Sequence, residues 1–216
     1  EVKNFDNDID FAFTSLKKNF PLPDGSILYS KNKTLSPIPS SYSNYVDNWL
    51  KASKYKKEFK IKNSKILENK YLDIFNELKR KEYINNSSIS KFSLKYLVKI
   101  KIKKIKIIKI KNYNYLYDKL INNDNIRIFK IKKNNIPIFF PIFFKNRIKR
   151  DLVYLFLYNR GIYCPRHWNL TSNFSKKIKN INMKLYDCEL SIPIDYRINK
   201  KDLNYISNLV NKALNA

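Results

Sequence analysis

Two side chains near the N-terminus have the types and the spacing for covalent chemistry beside a phosphate. In the stretch FTSLKKNF, residues 13–20, Lys18 follows Ser15 by three positions at the end of a strand-like segment. A lysine becomes a Schiff-base nucleophile when its surroundings lower its pKa, and a nearby hydroxyl can hold a phosphate. Lys17 competes for the same role. Taken alone the motif is weak, because 44 lysines and arginines produce many Ser-x-x-Lys matches, and a solvated lysine is the alternative interpretation.

Other site chemistries are limited by how few histidines, cysteines and glycines the chain has. His167 is the sole histidine and follows Cys164 by three positions, but no second ligand pair stands at metal-binding spacing, so no metal site is predicted. Two isolated glycines, Gly25 and Gly161, exclude a glycine-rich phosphate loop. The two cysteines, Cys164 and Cys188, are too few for a disulfide framework and are predicted to be buried in a protein of the reducing cytoplasm.

The composition describes a folded and strongly basic chain. With 216 residues, of which 44% are hydrophobic, the chain can form one large domain or two small ones. The formal net charge of +26 is typical of proteins that bind nucleic acid or anionic membranes. However, lysine, asparagine, isoleucine, tyrosine and phenylalanine are all in excess, and their codons are rich in A and T. A genomic base bias explains the whole set, so the charge alone is a poor guide to function.

The element that must position Lys18 is predicted to be a β-hairpin. Residues 9–16 alternate like a strand, the turn PDGS at residues 23–26 reverses the chain, and ILYSK at residues 27–31 forms the return strand. After a loop, apolar residues three and four apart predict two amphipathic helices between Ser40 and Tyr83. Gly25 supplies the turn.

The rest of the chain predicts a long helix followed by a small α/β unit. The segment Leu94–Leu120 fits both a strand alternation and a helical stripe, and its length favours one long helix. Beyond it, strands alternate with helices, and Gly161 follows the first helix as a left-handed C-cap. The apolar run IPIFFPIFF is about half as long as a helix that crosses a bilayer has to be. These strands are predicted at residues 126–131, 136–144 and 190–195, and the helices at Lys149–Asn159 and Lys200–Leu214.

Four segments in order resemble the C-terminal part of fold type I aminotransferases that depend on pyridoxal phosphate (PLP). They are SLKKNFPLPDGSILYS (15–30), IKNYNYLYDKL (110–120), IPIFFPIFFKNRIKRDLVYLFLYNRGIYCPRHWNL (136–170) and LSIPIDYRINKKDLNYISNLV (190–210). The resemblance is nearest to the DegT/DnrJ/EryC1/StrS group, the sugar aminotransferases, in which a similar S-L-R-K precedes a P-D-G-G turn. The order of the four segments is more specific than any one of them.

The resemblance implies roles for four residues. Lys18 would bind PLP covalently and Ser15 would contact its phosphate. A strand would place Lys17 and Lys18 on opposite faces, and the spacing from Ser15 favours Lys18. The freed amine would carry the proton between the substrate Cα and the cofactor C4′. His167 and Trp168 would lie near the substrate; the alternative is that Trp168 packs in a core and His167 is a surface residue.

The chain departs from the family pattern in two ways. Lys17 stands where the pattern prefers arginine, Ser26 where it prefers a second glycine, and Asn19–Phe20 where a bulkier aromatic pair is common. In addition, the family's cofactor-binding half lies upstream of the lysine, including the Asp that protonates the pyridine nitrogen and the aromatic residue that stacks on the ring. Only 17 residues precede Lys18, and the aspartates among them lead into the same strand: Asp6, Asp8 and Asp10.

The resemblance therefore implies the C-terminal half of an enzyme with an α/β fold. Residues 1–88 would be the remnant of a large PLP-binding domain, and residues 89–216 a linking helix and a small α/β domain. Either the sequence is a piece of a longer protein, or the gene is broken, or the other half is a separate chain. In each case the isolated chain is expected not to transaminate.

The implied activity is transfer of an amino group from an amino acid such as glutamate to a keto group, on a nucleotide-linked sugar for surface polysaccharide. The implied partners are a small-molecule amino donor, a keto acceptor and, at full length, a second copy in a cytoplasmic homodimer; no membrane or nucleic acid is expected. Two alternatives stay open: a basic nucleic-acid-binding protein and a degenerate, non-catalytic relative. Scattered lysines argue against the first.

Overall fold

The structure, a computed structural model, describes residues 9–31, 33–36, 45–81, 88–120, 126–133, 135–167 and 183–215. It divides into two compact units, Glu1–Ile100 and Lys101–Ala216. Helices and a small sheet occur in both units, so the predicted α/β fold class is confirmed. The predicted division at residue 88, with a cofactor domain before it and a small domain after it, stays a prediction.

The first unit begins with the predicted hairpin. Strands β1 (Phe11–Ser15) and β2 (Ser26–Ser30) pair antiparallel. Their connection starts with a short 3-10 helix, Leu16–Lys18. The backbone amide of Leu16 donates to the carbonyl oxygen of Gly25 at 2.9 Å, which continues the pairing into the connection. Because the Leu16 side chain is buried, the connection is packed rather than a solvated loop.

Two amphipathic helices follow, as predicted. Helices α1 (Tyr45–Lys62) and α2 (Lys65–Lys81) pack against each other. The link between them contains Asn63 at φ 48°, in the left-handed region that asparagine tolerates better than most residues. Ala52 of α1 and Leu78 of α2 are buried. Aromatic rings of α1 and α2 also pack against each other.

The prediction of one long helix over residues 94–120 is wrong. The structure has two helices, α3 (Lys91–Lys99) and α4 (Ile102–Lys119). Between them Ile100 is extended, with φ −73° and ψ 120°, and Lys101 is also non-helical. Alternating β-branched residues and lysines weaken a helix here, since β-branching restricts side-chain rotamers and lysines three or four apart repel each other. The division between the two units falls at this break.

The second unit is a three-stranded antiparallel sheet with helices. Its strands are β3 (Ile126–Arg127), β4 (Phe139–Phe144) and β5 (Glu189–Pro193), in the order β3-β4-β5. The first two predicted strands are thus shorter than expected. Its helices are α4, α5 (Arg147–Tyr158), α6 (Met183–Cys188) and α7 (Lys200–Asn215). The predicted helices at residues 149–159 and 200–214 are confirmed.

The core of the second unit lies between the sheet and the helices. Phe140, Ile142 and Phe144 of β4 are buried and alternate with half-buried neighbours, so one face of the strand points into the core. Helices α4, α5 and α7 supply the remaining apolar side chains, among them Leu116, Leu157 and Val210. Tyr113 packs on Phe140, with ring centroids 4.7 Å apart. Among the described residues, no helix combines the length and the apolar character required to cross a bilayer.

Both glycines occupy left-handed turns, as predicted, but for different reasons. Gly25 has φ +105°, and a Cβ built on it would lie 2.7 Å from Ile89 Cδ1 and 3.2 Å from Leu16 Cδ1. Gly161 has φ +76°, and a Cβ there would meet nothing within 4 Å. The amide of Ile162 donates to the carbonyl of Leu157 at 3.0 Å, which closes the C-terminal turn of α5. A Cβ at Gly25 would therefore meet an unfavourable dihedral angle and also require the Ile89 and Leu16 side chains to shift, whereas at Gly161 only the dihedral angle opposes it.

We predict that Gly25→Ala destabilises the protein more than Gly161→Ala does. Gly161→Ala should lower the free energy of unfolding by about 1 kcal/mol, because alanine is strained in the left-handed region. Gly25→Ala should lower it by about 2 kcal/mol or more, because steric overlap adds to that strain. Since the two glycines belong to different units, amide hydrogen exchange within each unit is the measurement. Equal losses for the two variants would contradict the packing described for Gly25.

Candidate functional site

The predicted cofactor lysine lies in the connection between β1 and β2. Lys17 and Lys18 are the last two residues of the 3-10 helix, and both are exposed. The prediction that they occupy opposite faces of a strand is wrong, because the amides of Asn19 and Phe20 both donate to the carbonyl of Leu16 and curl the chain. Successive side chains on a 3-10 helix are about 120° apart. The two amines thus still point in different directions.

Ser15 is the residue directly before this 3-10 helix. Its side chain is half-buried, and its hydroxyl does not cap the helix. A hydroxyl and two primary amines are therefore supplied within four consecutive residues that are fixed by one turn. These groups fit the phosphate and the aldehyde of PLP, which require a hydrogen-bond donor and an amine respectively.

The two lysines differ in their surroundings. Lys17 Nζ lies 3.5 Å from the hydroxyl of Tyr45 and 5.7 Å from the centroid of its ring. This contact ties Lys17 to the start of α1. An amine held against a tyrosine hydroxyl and ring is less available for attack on an aldehyde. The assignment of Lys18 as the reactive lysine stays a prediction.

A carboxylate anchors the turn that carries these residues. Asp24 Oδ2 accepts from the backbone amide of Ser90 at 2.9 Å, and its Oδ1 accepts from the hydroxyls of Ser90, at 2.9 Å, and Ser93. The Ser90 hydroxyl in turn accepts from the Ser93 amide at 3.1 Å and caps α3. Asp24 therefore joins the hairpin turn to the N-terminus of α3, where a negative charge is favourable.

We predict that Asp24→Ala loosens this junction. Three hydrogen bonds to a charged, partly buried acceptor are lost, so local opening should become easier by about 2–3 kcal/mol. The measurement is faster amide exchange in the first turn of α3. Asp73→Ala, which removes an exposed carboxylate from α2, is the matched control and should leave that exchange unchanged. Unaltered exchange in the Asp24 variant would contradict the anchoring role.

In the second unit, His167 belongs to a hydrogen-bonded cluster with two residues of β5. The His167 amide donates to Glu189 Oε2 at 2.9 Å, and its Nδ1 lies 3.0 Å from Ser191 Oγ. Ser191 Oγ donates to Glu189 Oε1 at 2.5 Å. The Ser191 amide also donates to the carbonyl of Pro165 at 3.0 Å. The histidine is therefore held by β5 through both its backbone and its side chain.

The burial of this cluster is uneven. The side chain of Glu189 is 8% exposed and that of His167 is 33% exposed, while Ser191 is buried. The His167 ring also packs near Phe139 of β4, with centroids 5.3 Å apart. His167 is thus neither a simple surface residue nor a core residue; it is a half-buried imidazole on a buried polar support.

Glu189 and Ser191 are functional candidates that the sequence reasoning missed. Both stand in the strand ELSIP, all of whose residues except the last are buried. Polar residues inside a buried strand require hydrogen-bond partners. Their presence in this strand was the one indication in the sequence that Glu189 and Ser191 contact other polar groups. Their partner, His167, is 22 and 24 positions away, and no local pattern predicts such a contact.

A buried arginine supports the cluster from the side of α5. Arg150 is 1% exposed, and its Nη1 donates to the backbone carbonyl of Glu189 at 3.2 Å. Its Nε lies 2.7 Å from Asp151 Oδ1. Asp151 also has ion pairs with Arg166 at 3.4 Å and Arg147 at 3.5 Å. One carboxylate is therefore shared by three guanidinium groups, which links α5 to the segment that contains His167.

Both cysteines are buried and not joined in a disulfide, as predicted. Burial, with a smaller effect of the Glu189 charge, raises the pKa of Cys164 to about 12. The thiolate is the reactive form of cysteine. Cys164 is thus a packing residue beside the His167 cluster rather than a nucleophile.

We predict that native Cys164 resists alkylation. At about pH 8 an ordinary thiol is partly ionised, but a thiol with a pKa of about 12 is not, so iodoacetamide should modify Cys164 only after unfolding in urea. The same shift makes unfolding easier as pH rises from 9.0 toward about 12, since the unfolded chain releases the proton first. Peptide mass spectrometry checks the first effect; equal native and unfolded labelling rates would contradict it.

The other predicted substrate neighbour, Trp168, lies outside the described residues. The remaining predicted residues belong to different units: Ser15, Lys17 and Lys18 to the first, and His167 to the second. Within the described part of the chain, no three side chains of His, Cys, Asp or Glu lie close enough together to hold a metal ion.

Comparison with known proteins gives likeness in structure but not in sequence. No protein-family model and no curated protein sequence matches the chain. Among solved structures, it is similar to PseC of Helicobacter pylori, an aminotransferase involved in the biosynthesis of pseudoaminic acid. There the identity is 15%, the TM-score is 0.44, and the match covers 51% of this chain and 33% of PseC.

Two further structures are similar to the same degree. A DegT DnrJ EryC1 StrS aminotransferase from Brucella abortus has 15% identity and a TM-score of 0.38, with 51% of this chain and 30% of that chain covered. CalS13, a sugar aminotransferase from Micromonospora echinospora, has 13% identity and a TM-score of 0.45, with 56% and 33% covered. The chain spans about a third of the length of these structures. These matches agree with the resemblance predicted from the sequence: over about half of its length, the chain is similar to aminotransferases of the DegT/DnrJ/EryC1/StrS type.

Proposed function

We propose that the chain is part of a PLP-dependent aminotransferase in which Lys18 binds the cofactor covalently and Ser15 contacts its phosphate. The reaction would move an amino group from an amino acid such as glutamate to a keto group of a nucleotide-linked sugar, for surface polysaccharide. The observation that carries the proposal is the anchored turn after β1, which holds the Ser15 hydroxyl directly before a short 3-10 helix and the Lys18 amine at the end of that helix.

The chemistry assigns a separate task to each group. PLP, when bound, supplies an electron sink that stabilises negative charge at the substrate Cα. Lys18 Nζ holds the cofactor before the reaction and, once released, moves the proton between Cα and C4′. Ser15 Oγ donates to a phosphate oxygen and fixes the position of the ring. The contact of Lys17 with Tyr45 supports the choice of Lys18.

The rigidity of the turn supports this assignment. Proton transfer requires a base within hydrogen-bond reach of the carbon it serves, so a reactive lysine must start from a fixed backbone. Asp24 provides that fixation by accepting three hydrogen bonds from the start of α3. Gly25 allows the chain to reverse closely against Ile89 and Leu16.

The exposed faces of the hairpin support the proposal that the enzyme includes more polypeptide than this chain. In the register of β1 and β2, Phe11, Phe13 and Leu28 share one face, and Ile27 and Tyr29 lie on the other. All five side chains are exposed, Phe13 by 83%. A strand that is apolar on both faces is typical of a sheet covered on both sides, and a two-stranded hairpin alone is marginally stable.

The rest of the enzyme would then supply the groups for the pyridine ring and nitrogen. We accordingly propose that the isolated chain does not transaminate, and that the complete enzyme is a cytoplasmic homodimer. His167 and Trp168 of the second unit would contact the substrate. Detectable transamination by the 216-residue chain alone would contradict this part of the proposal.

The test of the proposal is a borohydride trap. PLP is added below the protein concentration to the chain and to the longest polypeptide that its gene encodes, the imine is reduced, and fragment-ion mass spectrometry locates the pyridoxyl group. We expect modification of Lys18 in preference to the other lysines, because the Ser15 hydroxyl stands three residues before it on a turn that Asp24 fixes. The Lys18→Arg variant should lose this adduct.

Two controls make the result specific. Lys17→Arg, a neighbouring change of the same type, should keep the adduct on Lys18. Unfolding in urea should abolish the preference, because free lysines react with PLP without selectivity. An adduct on Lys17 would move the role to that residue, and uniform labelling of the folded protein would refute the proposed site.

A further inference from the structure

The sole histidine of the chain is placed so that its hydrogen-bond partners determine its tautomer. In a neutral imidazole one ring nitrogen carries hydrogen and the other accepts, and the partner of one nitrogen decides which. Here the partner of Nδ1 is Ser191 Oγ at 3.0 Å. A hydroxyl can act as donor or acceptor, so the answer depends on what else Ser191 contacts.

The Ser191 hydroxyl has one hydrogen, and the structure directs it to Glu189. Ser191 Oγ and Glu189 Oε1 are 2.5 Å apart, a separation typical of a hydroxyl that donates to an ionised carboxylate. Once that hydrogen is committed, Ser191 Oγ can only accept from His167. The hydrogen of the imidazole must then be on Nδ1, and the lone pair on Nε2.

The orientation of Glu189 is fixed independently of the histidine ring. Its Oε2 accepts from the backbone amide of His167 at 2.9 Å, and its own carbonyl accepts from the buried guanidinium of Arg150 at 3.2 Å. The Ser191 amide, bonded to the carbonyl of Pro165 at 3.0 Å, keeps the segment before His167 in register with β5. The carboxylate therefore cannot rotate away from Ser191 without losing the amide of His167.

We propose that Glu189 and Ser191 are positioning residues that hold His167 in the tautomer with hydrogen on Nδ1. In this tautomer Nε2 carries the lone pair, so it can accept a hydrogen bond from a hydroxyl or ammonium group but cannot donate one to a carbonyl or phosphate oxygen. The link to a substrate rests on the proposed function, in which His167 contacts the substrate; the tautomer itself does not.

The experiment uses the whole 216-residue chain with 15N-labelled histidine. Because His167 is the sole histidine, the ring nitrogens give one pair of resonances without any assignment problem. At about pH 8, long-range proton–nitrogen NMR correlations identify which ring nitrogen of a neutral imidazole carries the hydrogen. We expect Nδ1 to carry the hydrogen; hydrogen on Nε2 in the unmodified protein would overturn the proposal.

An isosteric variant provides a second and sharper test. In Glu189→Gln the side-chain oxygen of the glutamine must face the backbone N–H of His167, which needs an acceptor. The side-chain nitrogen of the glutamine then faces Ser191 and donates to its Oγ. The Ser191 hydroxyl is then released to donate to Nδ1, and the tautomer should invert to hydrogen on Nε2. A residue with a merely structural role would not reverse the tautomer, so an unchanged pattern in a folded Glu189→Gln protein would refute the proposal.

A matched pair of serine variants completes the design. Ser191→Ala removes the acceptor and should shift the population away from hydrogen on Nδ1. Ser207→Ala removes a buried hydroxyl of α7 in the same unit, bonded to the carbonyl of Asn204, and should leave the spectrum unchanged. None of these measurements requires PLP, so their outcome is independent of the Lys18 trap, and either proposal can fail while the other stands.

Discussion

A carboxylate removed from water must accept hydrogen bonds from the protein, and this requirement shapes both units. In the first unit, Asp24 meets it by bonding to Ser90 and Ser93, which fixes the hairpin turn against α3. In the second, Glu189 meets it with the His167 amide and Ser191. An unpaired buried charge costs several kcal/mol, so each carboxylate holds its neighbours in one arrangement.

The scarcity of acidic residues makes these contacts more consequential. With 18 aspartates and glutamates against 44 lysines and arginines, carboxylates are the limiting partners. Asp151 illustrates this, because three arginines share it and one of them, Arg150, is buried. Exposed lysines can remain hydrated at little cost, whereas a buried guanidinium requires its partner. The excess of positive charge is therefore compatible with a stable fold as long as the few carboxylates lie at the junctions.

The sequence predicts best those features that depend on neighbours along the chain. The hairpin follows from the PDGS turn, the two helices after it from apolar spacing, and the end of α5 from Gly161. The break at Ile100 was not predicted, because the same lysine–isoleucine alternation fits a helix and an extended segment equally well. The 3-10 helix at Lys17 and Lys18, which is closed by the amides of Asn19 and Phe20 on the carbonyl of Leu16, was also missed, because the alternation before it predicted a strand.

The residues of the candidate site also differ in whether they can be recognised from neighbours along the chain. Lys18 and Ser15 were proposed from their three-residue spacing together with the family resemblance, and His167 from the resemblance of the segment GIYCPRHW; their roles stay predictions. Glu189, Ser191 and Arg150 could not be recognised in this way, since they reach the histidine from other elements. This difference has a chemical consequence: candidate groups can be proposed from residue type, but the orientation of their side chains is decided by partners that only the fold brings near. An imidazole next to Ser191 alone could adopt either tautomer. Glu189 accepts the hydrogen of the Ser191 hydroxyl, so that Ser191 can only accept from the imidazole and one tautomer is favoured.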